Sequence, residues 1–375
     1  MENQLNKDLR VAVLWTHLSG YLNACLRELA GRDGLDLLIS CSSPSEEAPF
    51  ESTQFEWCEK KILRQGKPDT RELQSALEKF NPHILIFSGW HISAYRQIAR
   101  RWRGRSLRVM SIDNCWLGTS KQILGTIIGQ QYIRSLAEHV WLPGERQAIL
   151  ARKLGFRERD ILRGLYSCNK SIFDQAHRDR IAAGRSVPKS FVFIGRFVEE
   201  KGIDTLAKAY RIYRATAENP WPLYCYGKGP QEHLLKAIEG VQVKGFCQPD
   251  QMPSALSASG CLILPSEFEP WAVVVHEAAS AGLLVLASNR VGAAVHLVQS
   301  GFNGFIFDAG NPAELALFMS RISLLSEAEA ENMSRASHLL SEQYSPTRWA
   351  DTILRAHTFW KQDSEELQFA HSVKS

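Results

Sequence analysis

Short continuous apolar runs recur along the chain, and longer segments of mixed polar and apolar residues separate them. Such runs are typical of strands that are buried on both faces of a parallel sheet. They predict strands at residues 11–15, 35–40, 83–88, 107–112, 137–142, 161–166, 191–195, 223–226, 241–246, 261–264, 283–287 and 301–308. Apolar residues at helical spacing between them, as in 70–80 and 147–154, predict helices. This alternation predicts an α/β fold with parallel sheets.

A chain of 375 residues is long enough for two domains with separate cores. The first domain is predicted over 1–167. A linker is predicted over 168–189, where Ser, Asn, Lys, Arg, Gly and Pro are frequent, and a second domain over 190–345. Residues 42–70 are predicted as a polar variable loop and 363–375 as a frayed tail.

Eight cysteines show no CxxC or other metal-ligand spacing, and several lie in apolar runs. They predict buried thiols in a reducing compartment, which indicates a cytoplasmic protein. The polar start MENQLNKDLR lacks the apolar core of a signal peptide, and no run reaches the roughly 18 apolar residues of a membrane span.

The stretch 265–282 organises the second half, because it joins the predicted strands 261–264 and 283–287. A parallel crossover of this length is usually helical, so a helix that starts near Ala272 is predicted although valines 273–275 favour strands. Glu277 then lies in the first turns of that helix, and Glu269 lies in the loop at the carboxyl end of the preceding strand. Ligands bind at that edge of a parallel sheet, and carboxylates accept hydrogen bonds from sugar hydroxyls. Alternatively, Glu267, Glu269 and Glu277 are ordinary solvated charges.

A basic pair follows the strand predicted at 191–195. Gly195 allows close backbone approach to a ligand, and Arg196 and Lys201 flank the end of the strand. A diphosphate would be bound there by a guanidinium fork and a point charge. A turn with a solvated basic pair is the alternative.

Four motifs occur in a fixed order in the second half, and together they are specific. They are Gly195-Arg196-x4-Lys201-Gly202, Tyr226-Gly227-Lys228-Gly229-Pro230, Val243-Lys244-Gly245-Phe246 and Glu269-x7-Glu277. In this order the chain resembles the nucleotide-sugar domain of retaining glycosyltransferases of family 4, closely over 186–345 and in outline before that. The resemblance implies the GT-B fold, with two facing Rossmann-like domains, a cleft between them and a C-terminal helix over 346–375 that returns to the first domain.

The resemblance also implies roles for individual residues. Arg196 and Lys201 would stabilise the leaving diphosphate, Glu269 would bind sugar hydroxyls and Glu277 the ribose. Together with Glu277, the donor-binding residues it implies are Gly20, Gly195, Gly227, Gly229, Lys244, Phe246, Trp271, Ala272 and Val273. Ala272 departs from the family, in which glycine is usual at that position.

Two polar residues follow strands of the first half. His91 comes after the strand 83–88, and the resemblance implies a catalytic contact with the donor sugar, whereas a packing or capping histidine is the alternative. Asp113 stands where relatives carry a histidine-containing loop, and it either contacts the acceptor or caps the next helix.

The segment 96–108, from Arg96 to Arg108, contains six arginines and one tryptophan. Residues 1–170 carry 25 Lys and Arg against 18 Asp and Glu. This basic half suits an anionic membrane face, and the apolar residues 116–118 and 123–128 could add insertion. A solvated basic helix followed by an ordinary core helix is the alternative. No motif supports nucleic-acid binding.

The family resemblance, taken together with these observations, implies a retaining glycosyltransferase of the hexosyltransferase type. It would use a UDP- or GDP-linked sugar and a lipid-linked saccharide acceptor on the inner face of the cell membrane. No cofactor is predicted, and the absence of a DxD triplet argues against a metal on the diphosphate. A sugar-nucleotide epimerase and a non-catalytic nucleotide-sugar-binding protein are the alternatives.

Overall fold

The computed structural model describes residues 9–17, 19–42, 56–64 and 66–372. The chain divides into two compact units, unit 1 with residues 1–167 and 345–375 and unit 2 with residues 168–344. Within the described residues each unit is built on one parallel sheet with helices on both faces. The predicted α/β fold with two Rossmann-like domains is thereby confirmed.

In its described part, unit 1 has a seven-stranded parallel sheet in the order β3-β2-β1-β4-β5-β6-β7. The strands are β1 (Leu9–His17), β2 (Leu35–Ser42), β3 (Lys61–Arg64), β4 (Ile84–Ser88), β5 (Leu107–Ser111), β6 (His139–Leu142) and β7 (Ile161–Arg163). The helices are α1 (Gly20–Ala30), α2 (Thr70–Phe80), α3 (Ser93–Arg101), α4 (Ser120–Arg134), α5 (Glu145–Lys153) and, after unit 2 in sequence, α14 (Pro346–Ser372).

Successive residues of β1 pack into two different hydrophobic cores, because the side chains of a strand alternate between the two faces of the sheet. Ala12 and Leu14 pack with residues of α2, α3 and α5, whereas Val11 and Val13 pack with α1 and α14. Trp349 of α14 is buried in the second core, where its indole nitrogen donates to the Leu165 carbonyl at 2.8 Å.

Unit 2 has a six-stranded parallel sheet, within the described residues, in the order β10-β9-β8-β11-β12-β13. The strands are β8 (Phe191–Ile194), β9 (Leu223–Tyr226), β10 (Val241–Gly245), β11 (Cys261–Leu264), β12 (Leu284–Ser288) and β13 (Gly304–Phe307). The helices are α6 (Lys170–Ala182), α7 (Ile203–Thr216), α8 (Glu232–Lys236), α9 (Met252–Ser257), α10 (Val273–Ser280), α11 (Ala294–Leu297), α12 (Pro312–Ser323) and α13 (Glu327–Ser341).

Three segments differ from the sequence interpretation. The predicted linker 168–189 contains α6, whose buried Lys170 and Arg180 are neutralised by Asp174 at 2.6 Å and Glu331 at 2.7 Å. The predicted loop 42–70 contains β3, which pairs with β2, while residues 43–55 and 65 lie outside the described part. The predicted tail is helical to Ser372, and residues 373–375 lie outside the description.

Candidate functional site in unit 2

The strand order of unit 2 reverses between β8 and β11, which are neighbours in the sheet. From β8 the chain moves outward to β9 and β10 and then returns to β11 on the other side. Open parallel sheets bind ligands beside the carboxyl ends of the strands at such a point. The loops after β8 and β11 carry Arg196, Lys201 and Glu269. The predicted charged residues therefore flank the reversal.

Lys201 and Glu269 form a direct ion pair, although 68 residues separate them in sequence. Their side chains are only 15% and 14% exposed. The sequence predicted each of them beside the donor but did not predict that they contact one another. The pair places one cation and one anion side by side at the end of the sheet.

Backbone hydrogen bonds join the two loops. The Glu200 carbonyl accepts from the Glu267 amide at 2.9 Å and from the Phe268 amide at 3.2 Å. The Arg196 guanidinium is 67% exposed and pairs with the Glu200 carboxylate at 2.6 Å. Arg196 is therefore accessible to a ligand while its loop is held.

The predicted glycines of the donor site make close contacts between loops. A Cβ atom at Gly227 would lie 1.9 Å from the Gly195 carbonyl oxygen, and one at Gly229 would lie 2.4 Å from the Phe197 carbonyl oxygen. Both glycines have positive φ, at 150° and 156°. The Gly227 amide donates to the Gly245 carbonyl at 2.7 Å, so it is already used inside the protein. Gly227 therefore holds the loops together instead of presenting its amide to a nucleotide.

Glu277 lies on the second turn of α10, on the same face as Val273. The residue as a whole is half-buried, and its carboxylate forms no hydrogen bond or ion pair within the described residues. Burial raises the pKa of this carboxyl to about 7. Burial, and after it the carboxylate of Glu277, also raises the pKa of the Cys247 thiol to about 11. Glu277 is therefore close enough to Cys247, in the loop after β10, for the two groups to interact electrostatically.

The start of α10 is strained. Ala272 precedes the helix with φ 81° and ψ 86°, a left-handed conformation that L-residues adopt at a cost. From the sequence we predicted that Ala272 adds a methyl group where glycine is usual. We did not predict that its backbone adopts a left-handed conformation. Ala272 fixes the direction in which α10 leaves the loop, and with it the orientation of its first amides, which suit an anion.

Trp271 is only 3% exposed, and its ring lies 5.5 Å from Tyr344 and 5.8 Å from His296. Its indole therefore belongs to the interior of unit 2, and the carbonyl of Trp271 accepts from the Ala293 amide at 2.8 Å. The predicted donor-binding residues Lys244 and Phe246 are both exposed, and the Lys244 ammonium lies 5.5 Å from the Tyr224 ring centre.

His276 lies on the buried face of α10 and connects this helix to other segments of unit 2. The sequence analysis did not identify it. Its Nδ1 accepts from the Cys168 amide, and its Nε2 bonds to the Ser341 carbonyl, both at 3.1 Å. Burial lowers the pKa of His276 to about 4, so the ring is neutral. The sequence feature that could have identified His276 is its position on the buried face of the short helix α10.

Gly20 and His91 follow β1 and β4, the two strands between which the order of the unit 1 sheet reverses. Gly20 is the first residue of α1, and His91 is exposed in the turn after β4. Asp113 accepts from the Tyr166 hydroxyl at 3.1 Å, and the cap of α4 is Thr119. The prediction that Asp113 caps the next helix is therefore wrong.

Residues 178–338 match the family model described as glycosyl transferases group 1. The sulfoquinovosyl transferase of Arabidopsis thaliana is 28% identical over 208 residues, which cover 52% of this chain and 39% of that protein. A glycogen synthase of Mycobacterium tuberculosis is 27% identical over 161 residues, which cover 41% and 38%. The chain spans about two fifths of the length of the curated relatives it matches.

Among solved structures, the HepE protein of Anabaena in complex with UDP superposes with a TM-score of 0.72 at 14% identity. The match covers 93% of this chain and 100% of that one. This similarity confirms the predicted GT-B fold. Family 4 and retention of configuration stay predictions.

Proposed function

We propose that the chain transfers a sugar from a nucleoside diphosphate sugar to an acceptor hydroxyl, because residues 178–338 match the family model described as glycosyl transferases group 1. The observation that supports this most is the pairing of Lys201 with Glu269 at the reversal of the unit 2 sheet. The pair would present a cation to the diphosphate and an anion to the sugar hydroxyls. The donor is a UDP- or GDP-linked hexose, and the reaction needs no metal.

Each charged group has one task in this proposal. Arg196 and Lys201 stabilise the negative charge that builds up on the leaving diphosphate, and the first amides of α10 add their dipole. The carboxylate of Glu277 lies without a cation partner in the described part of the chain and accepts hydrogen bonds from ribose hydroxyls. We also propose that His91 contacts the donor sugar.

We propose that the reaction retains the anomeric configuration. The bond between the anomeric carbon and the diphosphate oxygen breaks, and the acceptor oxygen bonds to the same face of the sugar. The departing phosphate oxygen takes the acceptor proton, so no protein nucleophile is required.

The first test is incubation of the purified protein with UDP- and GDP-sugars, with and without lipid-linked saccharide acceptors. Acceptor-dependent transfer with retained configuration is expected. Conversion of the donor without acceptor would indicate an epimerase, and an intact donor would indicate a binding protein.

Replacement of Glu277 by Ala should lower kcat/KM about 100-fold, because one charged contact at such a site contributes roughly 2–4 kcal/mol. Glu267→Ala is the matched control, since Glu267 is an exposed glutamate in the neighbouring loop and forms no ion pair in the described residues. Equal rates for the two variants would contradict the assignment of Glu277.

We propose further that the acceptor is carried by an anionic membrane, and α4 supports this. Apart from the buried Ile133, its apolar side chains face solvent, with Ile127 and Ile128 exposed to 72% and 73%. The helix follows β5 at the carboxyl edge of the unit 1 sheet, the edge at which Gly20 and His91 also lie. The alternative prediction of an ordinary core helix is therefore wrong.

Cations lie near both ends of α4, as an anionic surface would require. The Lys153 ammonium is 4.5 Å from the Trp116 ring centre, and the Arg100 guanidinium is 4.6 Å from that of Tyr132. The whole segment 96–108 is not one basic surface. Arg108 is buried against Glu138, and Arg105 pairs with Glu78.

No helix in the described part of the chain is long and apolar enough to cross a membrane. Peripheral binding through α4 is tested by sedimentation with phosphatidylglycerol vesicles. Ile127→Ser/Ile128→Ser should weaken binding at least tenfold, whereas Leu317→Ser/Leu324→Ser, at exposed leucines of unit 2, should not. Equal binding of both variants would contradict the role of α4.

A further inference from the structure

A cavity of about 850 Å³ lies within unit 1, away from the edge that carries Gly20 and His91. One wall consists of the residues around the amino ends of β5, β6 and β7, including Arg108, His139 and Leu162. The opposite wall is one face of α14, which contributes residues at helical spacing such as Thr352 and Phe359. Its volume falls in the range of small-molecule sites. None of the proposed glycosyltransfer residues lines it.

The charge of the cavity is strongly positive. Its lining has six arginines, against Glu138, Asp160 and Asp363. Asp160 alone receives three guanidiniums, from Arg134 at 3.0 Å, Arg157 at 2.9 Å and Arg159 at 3.9 Å. One carboxylate cannot neutralise three cations, so positive charge is left at the opening.

Two further arginines are exposed and have no acidic partner. Arg103 and Arg355 form no ion pair within the described residues. Arg108 differs from them, because it is buried, pairs with Glu138 and donates to the Ala99 carbonyl at 2.9 Å. Arg108 is therefore a structural part of the cavity wall, whereas Arg103 and Arg355 are available to a ligand.

An apolar surface adjoins these cations. Phe359 on the α14 wall is 64% exposed although its ring is large, and Trp360 lies beside it. Guanidinium groups match the geometry of phosphate oxygens and bind them with charge-assisted hydrogen bonds. We propose that this cavity binds a phosphate monoester, with the phosphate between Arg103 and Arg355 and the remainder of the molecule against Phe359.

The phosphate monoester is either a soluble metabolite or a lipid headgroup, and two probes distinguish them. They are sn-glycerol 3-phosphate and dihexanoyl phosphatidic acid below its micellar concentration, each titrated calorimetrically into the full chain. Binding of both indicates a soluble ligand, and binding of phosphatidic acid alone indicates a lipid headgroup. Binding of neither probe would overturn the proposal.

The variant Arg103→Glu/Arg355→Glu should weaken binding at least about tenfold, because charged hydrogen bonds are lost. Arg178→Glu/Arg211→Glu is the matched control, since it makes the same charge change at exposed positions of unit 2 and should bind like the wild type. If the first variant does not fold, Arg159→Glu, at a residue exposed to 69%, replaces it. Unchanged affinity after charge reversal would also overturn the proposal.

Lys201→Ala separates this cavity from the donor site. Phosphate binding should persist in that variant even though glycosyl transfer slows about 100-fold. Loss of probe binding there would place the ligand in unit 2 and refute the cavity as its site.

Discussion

Both sheets reverse their strand order once, between β1 and β4 in unit 1 and between β8 and β11 in unit 2, but the loops after these strands are held differently. In unit 2 they are joined by backbone hydrogen bonds and by the pair of Lys201 with Glu269. In unit 1 the residue His91 is exposed and makes no hydrogen bond in the described part. Joined loops fix charged groups before a ligand arrives, which is the condition for electrostatic catalysis.

The sharpest test of this difference is a double-mutant cycle on the ion pair. Lys201→Ala and Glu269→Ala should each lower kcat/KM about 100-fold, since each charge serves the donor. The double variant should lose less than the product of the two effects, because the residues contact one another.

The exposed pair of Lys208 with Asp204 on α7 provides the control for that cycle. Its removal should leave turnover unchanged, because surface ion pairs contribute little. If the double variant at 201 and 269 regained the wild-type rate, the pair would serve folding alone and the contrast between the units would disappear.

The second test uses pH, because α10 depends on the neutral ring of His276. Its pKa is about 4 in the folded chain, below the usual 6.5, so the unfolded chain binds the extra proton first as pH falls. The stability that His276 contributes is therefore complete above about pH 6.5 and is lost towards pH 4, by about 3 kcal/mol.

Denaturant unfolding at several pH values measures this loss. His276→Gln should flatten the pH profile, and His233→Gln, at an exposed histidine, should not. Identical profiles for both variants would show that the support of α10 is insensitive to this proton.

The variant Ala272→Gly should change the free energy of unfolding by a smaller amount than protonation of His276, and it should stabilise the protein. Glycine adopts φ 81° freely, so the variant should gain about 1 kcal/mol in free energy of unfolding. Ala281→Gly, at the other end of α10 with φ −76°, should instead lose roughly 0.5–1 kcal/mol. Denaturant unfolding measures both changes. A lower free energy of unfolding in both variants would contradict backbone strain at the start of α10.

The smallest effect is expected in unit 1. His91→Ala should lower kcat/KM by no more than about tenfold, because one exposed hydrogen bond contributes roughly 0.5–1.5 kcal/mol. The protein should unfold at the same denaturant concentration as the wild type. A loss as large as that of Lys201→Ala would mean that both sheet edges carry equal shares of catalysis.

The strands of both units could be predicted from the sequence, because continuous apolar runs such as 191–194 and 261–264 require burial on both faces. Helix α6 could not, because its buried Lys170 and Arg180 resemble a polar linker until their partners Glu342 and Glu331 are known. Those partners lie more than 150 residues further along the chain.

The sequence was sufficient to predict which charged residues belong to the candidate site. It was less informative about how those residues are arranged. Motif spacing indicated Lys201, Glu269 and Glu277, but the contact between the first two depends on the order of β8 and β11 in the sheet. The interior position of Trp271 and the backbone of Ala272 depend on neighbours that no local pattern reveals.

The placement of α14 has a consequence for biosynthesis. The ring of Trp349 packs against that of Trp141, with the ring centres 4.5 Å apart, and completes a core that β1 had begun, yet all of unit 2 is translated between these two residues. Domains fold as units while the chain emerges from the ribosome. Unit 2 can therefore reach its native state first, while the apolar surface of unit 1 that awaits α14 stays open and must be kept from aggregating.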